Sequence, residues 1–294
     1  MDNLIGIVTF GNIDFTKLAI RSIRETVKNP YLIYVVVGKP GDIETMEYLS
    51  SESIPHTIHD LNYGFPYSIN DIYDFAWKYN NFDTIITMGN DVIAYPYAID
   101  NLIKVAETTD YEWVCAREFD VRSLCRGYPE AKKYFEGGTY RFNRFDTRPW
   151  ELALENDSNI FTDALEIGEA GLSDVHNLAL YKRSVFDKIG YIDVNFYPAY
   201  YEDNDYVRRA VQAKVKSCTV LNSIYFHFWS RTIHQGSGGS DHTYFKNNRD
   251  YYILKWGGDF GNEVYTVPFN GKGKIGIFDR DKEKEYIEFW RRKH

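Results

Sequence analysis

The chain predicts an α/β fold, a mostly parallel central sheet with helices on both faces. Short apolar, β-branched runs alternate with helical periodicities over residues 4–88, the rhythm that builds a parallel sheet through βαβ units. The runs are continuously apolar rather than alternating, as strands covered on both faces are. They end in glycine, asparagine or aspartate, turn chemistry that stops a strand.

Leu4 to Phe10 reads as the first buried strand, ended by Gly11-Asn12. A helix capped by Asp14 or Thr16 follows, with Leu18, Ile20, Ile23 and Val27 at helical spacing and Asn29-Pro30 as its stop. Leu32 to Val37 is the second strand, Ile43 to Leu49 a helix beyond the Gly38–Asp42 turn, and His56 to Leu61 a third strand. Ser68 to Tyr79 reads as a helix and Thr84 to Met88 as a strand broken at Gly89-Asn90-Asp91. From Arg117 to Asp174 the pattern is charged, aromatic and weakly periodic, so loops and short elements are expected there, shaping an acceptor site. Ala179 to Tyr181 gives a short strand and Arg183 to Ile189 a helix stopped by Gly190. Glu202 to Ala213 gives another helix, and Val220 to Phe226 another strand. Gly236 to Ser240 has the composition of a mobile lid. A helix over Tyr244 to Trp256 and a tail with two short strands and a charged terminal helix complete the reading.

With 294 residues and 44% hydrophobic composition the chain can bury a large core. Its formal net charge of -8, with 34 basic and 42 acidic residues intermixed, argues against nucleic acid or an anionic membrane as partner and favours small neutral or metal-bridged ligands. The 25 tyrosines and 6 tryptophans offer apolar faces with hydrogen-bonding tips, which suit sugars and ordinary cores alike. Cys115, Cys125 and Cys218 are odd in number without metal or redox spacing, which points to a reducing compartment. With no basic leader and no apolar run near the ~20 residues a membrane span requires, a cytoplasmic, unanchored protein is expected.

In an open parallel sheet ligands sit beyond the carboxyl ends of the strands, which selects Thr9 to Asn12, Asp42, Asn62 to Gly64 and Asn90-Asp91. A carboxylate at Asp91 is placed to hold Mg2+ or Mn2+ against a diphosphate; the competing reading is an Asx turn. Glu202, Asp203 and Asp205 crowd three acids into four positions at a helix start. One would suffice as a cap, and like-charge repulsion makes the others candidates for general-base chemistry. His227 closes a strand among aromatics, as a core histidine or a metal ligand, and Arg231 offers a planar donor for phosphate.

Together these segments resemble glycosyltransferase family 2 and its GT-A-fold relatives, over about residues 4–257. Ile5 to Asn12 is similar to the family's first strand and nucleotide-contacting turn. Asn62-Tyr63-Gly64-Phe65 with Asn70 resembles its asparagine-glycine segment, and Ile86 to Val92 occupies the place of its DxD-type motif. Tyr201 to Asp205 with Arg208 looks like its acceptor-side acidic motif. Phe226-His227, Asn248 to Tyr252 and Lys255-Trp256-Gly257 are similar to its C-terminal signature. Two positions depart: Gly89 stands where the first acid of the metal motif often lies, and Val37 to Asp42 lacks the aspartate many relatives carry at the end of the second strand.

The resemblance implies a nucleotide-diphospho-sugar transferase fold with one catalytic domain over 1–257, its nucleotide half about 1–115 and its acceptor half about 116–257, and an extension over 258–294. It implies hexosyl or deoxyhexosyl transfer from a nucleotide sugar to a glycan hydroxyl with inversion. Asp203 would be the base with Glu202 beside it, and Asp91 with His227 would hold the Mn2+ or Mg2+. Thr9, Phe10, Asn12, Asp42, Asn62, Gly64, Asn70, Asn90 and Arg231 would contact the donor. Two other classes stay open. A catalytically silent sugar-binding protein agrees with Gly89; a nucleotidyltransferase is disfavoured because Phe10-Gly11-Asn12-Ile13 is not a glycine-rich basic loop.

Overall fold

The structure, a computed structural model, describes residues 2–119, 151, 154–155, 160–168, 177–228 and 242–272. The elements run β1 (Asn3–Thr9), α1 (Ile13–Thr26), β2 (Tyr31–Val37), α2 (Ile43–Ser51), β3 (His56–Ile58) and α3 (Phe65–Tyr73), the last continuing into a π-helical segment at Asp74–Lys78. Next come β4 (Thr84–Gly89), β5 (Val92–Ala94), α4 (Ala98–Thr108), β6 (Trp113–Glu118), β7 (Ile167–Gly168) and β8 (Leu178–Lys182). Then follow α5 (Arg183–Ile189), α6 (Glu202–Gln212), β9 (Ser217–His227) and α7 (His242–Trp256). These strands form one sheet in the order β3-β2-β1-β4-β8-β6-β9-β5, with β7 also on β9. Strands β1, β2, β3, β4, β6 and β9 run one way; β5, β7 and β8 run the other.

Alternation along each strand explains the continuous apolar runs. Ile5, Ile7, Val35, Val37, Ile86 and Met88 point to one face and are covered by α1, α2 and α4. Leu4, Tyr34, Val36 and Ile85 point to the other, under α3, α5 and α6. Both faces are buried, so residues of both parities are mostly apolar, and the polar exceptions such as Asn3, Thr9 and Thr84 are hydrogen-bonded inside.

Helix starts differ from the sequence reading. Asn12, left-handed at φ 61°, precedes α1 without a side-chain cap; Asp14 does not cap it, and the buried Thr16 hydroxyl instead meets Thr9 at 2.9 Å. α3 begins at Phe65 rather than Ser68, on the signals of Gly64 before it and Pro66 in its first turn. β9 is longer than Val220 to Phe226, and β5, α4 and β6 have no counterpart in the sequence reading. Between Gly257 and Lys272 the chain forms turns and a 3-10 segment at Pro268–Gly271, without a strand. Most of 117–174, the Gly236–Ser240 stretch and the charged terminal helix lie outside the described residues. Among the described residues no helix is long and apolar enough to cross a membrane.

The carboxyl ends of the six co-directional strands share one edge. Residues 9–12, 38–42, 59–64, 89–91 and 227–228 leave the sheet there. α6 feeds through 213–216 into the opposite end of β9, and its 11 residues span about 16 Å, or roughly five strand residues. Its first turn, with Glu202 and Asp203, therefore lies toward that same edge.

Candidate active site

At the end of β1 the polar side chains turn inward. Thr9 is fully buried; its hydroxyl donates to the Gly11 carbonyl at 3.0 Å. Asn90, also buried, donates its amide to the Thr9 and Thr16 hydroxyls, each at 3.2 Å. The side chains expected to touch a nucleotide at Thr9 and Asn90 instead fasten β4 to β1. Phe10 and Asn12 are half-buried, and among the described residues the buried Asn12 amide nitrogen has no hydrogen-bond partner. Lys39, not selected from sequence, lies over this turn: a Cβ on Gly11 would meet its Cδ at 3.3 Å and its Nζ at 3.4 Å.

Asp42 is the N-cap of α2, with its two oxygens accepting from the Thr45 amide at 3.3 Å and hydroxyl at 2.8 Å. Asn62 accepts from the Gly64 amide at 3.0 Å, an Asx turn that shapes the entry to α3. Asn70 is fully buried, and its side chain donates to the Ile192 carbonyl and accepts from the Ile192 amide, both at 2.9 Å. It fastens α3 to the segment before α6.

Gly64 has φ +86°, and a Cβ there would stand 2.9 Å from the Pro198 carbonyl oxygen. That oxygen already accepts from the Phe65 amide at 2.7 Å. Both the left-handed backbone and the contact demand glycine. Gly64→Ala is expected to destabilise the fold by more than ~1 kcal/mol, read as a lowered melting temperature.

Asp91 and His227 come together because β5 turns back to pair antiparallel with the end of β9, Val92 opposite His227. The Phe228 amide donates to the Asp91 carbonyl at 2.9 Å, and His227 Nε2 lies 3.4 Å from Asp91 Oδ1. The glycine at 89 has a local reason. A Cβ there would stand 3.2 Å from Asp91 Oδ1, so an acid at 89 would crowd the carboxylate that remains. The pair fits a divalent ion. Two cis ligands at about 2.1 Å lie about 3 Å apart, the donors are one imidazole and one carboxylate, and both side chains keep about a sixth of their surface, 16% and 15%, for water and phosphate oxygens. Among the described residues no group of three or more His, Cys, Asp or Glu forms a fuller cage. Arg231 lies outside the described residues.

At the start of α6, Tyr200 and Tyr201 both have positive φ, 82° and 69°. Glu202 is buried, and among the described residues its Oε2 has no hydrogen-bond partner. Burial, with the neighbouring charge of Asp203, pushes its carboxyl well above the ordinary range. Asp203 is half-buried. Burial raises it too, against the lowering effect of the amides it accepts from, Asn204 among them at 2.7 Å. Both adjacent carboxyls are thus raised, Glu202 the more strongly.

Asp205, the third acid, belongs to a buried ion network. It accepts from Arg209 at 3.0 Å and Trp256 Nε1 at 2.9 Å, and pairs with Lys255 at 2.7 Å. Lys255 also holds Asp193 at 2.7 Å. Burial alone would raise the Asp193 carboxyl, but the Lys255 charge and the Asn195 hydrogen bonds outweigh it and hold it below the usual range. This network ties α6, α7 and the 193 turn together. Asp193 carried no sequence signal, and Lys255-Trp256 was visible only as part of a resemblance.

No family model matches the chain, and no curated protein sequence matches it significantly. Among solved structures it is similar to the mannosyltransferase PcManGT from Pyrobaculum calidifontis, in complex with GDP-Man and Mn2+, with TM-score 0.52 and 10% identity over 78% of this chain and 57% of that one. It is also similar to residues 1–349 of TarS from S. aureus, with TM-score 0.50 and 10% identity over 77% of this chain and 60% of that one. The chain spans less than two thirds of either neighbour. At this identity the likeness is one of architecture: the chain has the GT-A-like fold of glycosyltransferases.

Proposed function

We propose that the protein transfers a glycosyl group from a nucleotide-diphosphate sugar to a carbohydrate hydroxyl, with inversion. The observation that carries this reading is the pair of adjacent carboxyls at the α6 start, Glu202 buried and Asp203 half-buried, toward the same strand edge as the Asp91–His227 pair. Asp203, made more basic by burial, takes the proton of the attacking hydroxyl. Glu202 stays protonated and keeps a second negative charge away from that base. Lys39 and the Asn12 amide meet the donor at the β1 and β2 ends, and Asp91 and His227 hold the divalent ion there. When bound, that ion supplies charge neutralisation to the diphosphate leaving group. The Mn2+ and GDP-Man of the structural neighbour accord with this division of labour.

The test is incubation with a panel of nucleotide sugars, Mn2+ and simple glycoside acceptors, following nucleoside diphosphate release and product. Turnover of at least one donor is expected; binding without turnover, or release of pyrophosphate, overturns the reading. His227→Gln is expected to raise the Mn2+ concentration for half-maximal rate by about tenfold or more, and Asp91→Asn by more, since a charged ligand is lost. Activation by Mn2+ that neither substitution alters would remove the pair from the site.

A further inference from the structure

We propose that Asn248 is a positioning residue for Asp203, acting through the two left-handed tyrosines that precede the acids. The inference rests on the proposed transfer reaction for its kinetic test, though not for its structural one. A non-glycine residue with positive φ costs about 1–3 kcal/mol and persists only where its surroundings over-determine it. Tyr200 and Tyr201 are two in succession, at φ 82° and 69°, immediately before Glu202-Asp203. The restraint comes from α7 and the turn after it. Asn248, buried to 3% exposure, donates its side-chain amide to the Ala199 carbonyl at 2.8 Å and the Tyr200 carbonyl at 3.1 Å. The Tyr201 ring packs against Phe245 and Tyr252, each at 5.4 Å, and its hydroxyl donates to Asp259 at 3.3 Å.

Without the Asn248 amide, the Ala199 and Tyr200 carbonyls lose that donor, and the hold on Tyr200 at positive φ is weakened to contacts such as its ring on Phe245 at 5.4 Å. The first turn of α6 then re-aims, and water reaches the Asp203 carboxyl. That carboxyl is raised by burial and lowered by the Asn204 and Asp203 amides, and the titratable groups near it are Glu202 beside it and Tyr181 of β8. Lys255, the cation that α7 presents to the helix, is engaged with Asp205 and Asp193. None of these titratable groups changes when Asn248 is truncated, so a shift at Asp203 reports its placement.

The experiment titrates the protein labelled with 13C at aspartate carboxyls, the Asp203 signal being assigned by its loss in Asp203→Asn. In Asn248→Ala the Asp203 midpoint is expected to move down toward an ordinary aspartate, and the acid limb of kcat to move with it. The value of kcat falls about 10- to 100-fold, the penalty for misplacing a reacting group by about 1 Å, while donor KM is unchanged. Adding Tyr200→Gly to Asn248→Ala removes the strain, since glycine takes positive φ freely, and is expected to restore part of the midpoint and of kcat. An Asp203 midpoint and acid limb that stay put in Asn248→Ala, with only the melting temperature lowered, overturn the proposal. Should Asn248→Ala not fold, Asn248→Ser keeps one donor and the same readouts decide. If the unaltered protein turns over no nucleotide sugar, the transfer reading fails while the titration still decides the positioning role.

Discussion

Asp203→Asn is expected to lower kcat by about 10²–10⁴-fold, the usual worth of a positioned general base, while the donor KM is unchanged. The amide has the shape of the carboxylate and can still accept from the Asn204 amide, but it cannot take a proton. Because burial raises the Asp203 carboxyl, kcat of the unaltered protein declines toward acid as that group protonates, at a pH above the ordinary aspartate value of about 3.9. Glu202→Gln should leave most of the rate, since burial and its neighbour's charge push that carboxyl well above its ordinary range, toward the neutral form that an amide imitates. Steady-state nucleotide release across pH measures all three. Wild-type turnover in Asp203→Asn would remove it as the base.

Lys255→Met is expected to destabilise the fold by about 3–5 kcal/mol, the loss typical when one partner of a buried ion group is removed. Lys255 is 1% exposed and both its carboxylates are fully buried, so neither Asp193 nor Asp205 can turn to water instead. Of a total stability of about 5–15 kcal/mol this is a large part, visible as a lowered urea midpoint at neutral pH. The sign with pH follows from Asp193, held below its ordinary value in the folded state. Its contribution is full above the unfolded value of about 3.9 and is lost as pH falls through the folded one. The difference between the two proteins should therefore narrow below about pH 4. A variant as stable as the parent at neutral pH would show that Lys255 is not what offsets the two charges.

Strands were legible where burial on both faces leaves a continuous apolar run, as in β1, β2 and β4. Helix starts were less so, because Gly64 and Asn12 act through backbone conformation rather than through a capping side chain. The strand-edge rule selected turns but could not say which way a polar side chain faces. Thr9, Asn90 and Asn70 are in the segments expected to meet a nucleotide, and each is buried and hydrogen-bonded within the protein. Asp91 and His227 were paired by resemblance. The 3.4 Å between them depends on β5, three residues too short to leave a periodicity. Along α6, Tyr206 and Ala210 are buried while the equally apolar Val211 is 51% exposed; the interior side is set by the underlying Trp113 and Tyr181, which periodicity along the helix alone does not reveal.

The Asn70–Ile192 clasp also sets an order of events in folding. The two residues are 122 positions apart, and the Gly64 turn closes on Pro198 over a similar span. During synthesis the first four strands can pair from local βαβ units, but the Asn70 amide, destined for full burial, stays without its partners until the chain beyond residue 192 is available. Long-range closures of this kind slow folding and leave apolar surface uncovered while they wait. The face of the sheet under α3 is therefore completed late, and the strand edge that carries the candidate site is assembled only once the two halves of the chain have met.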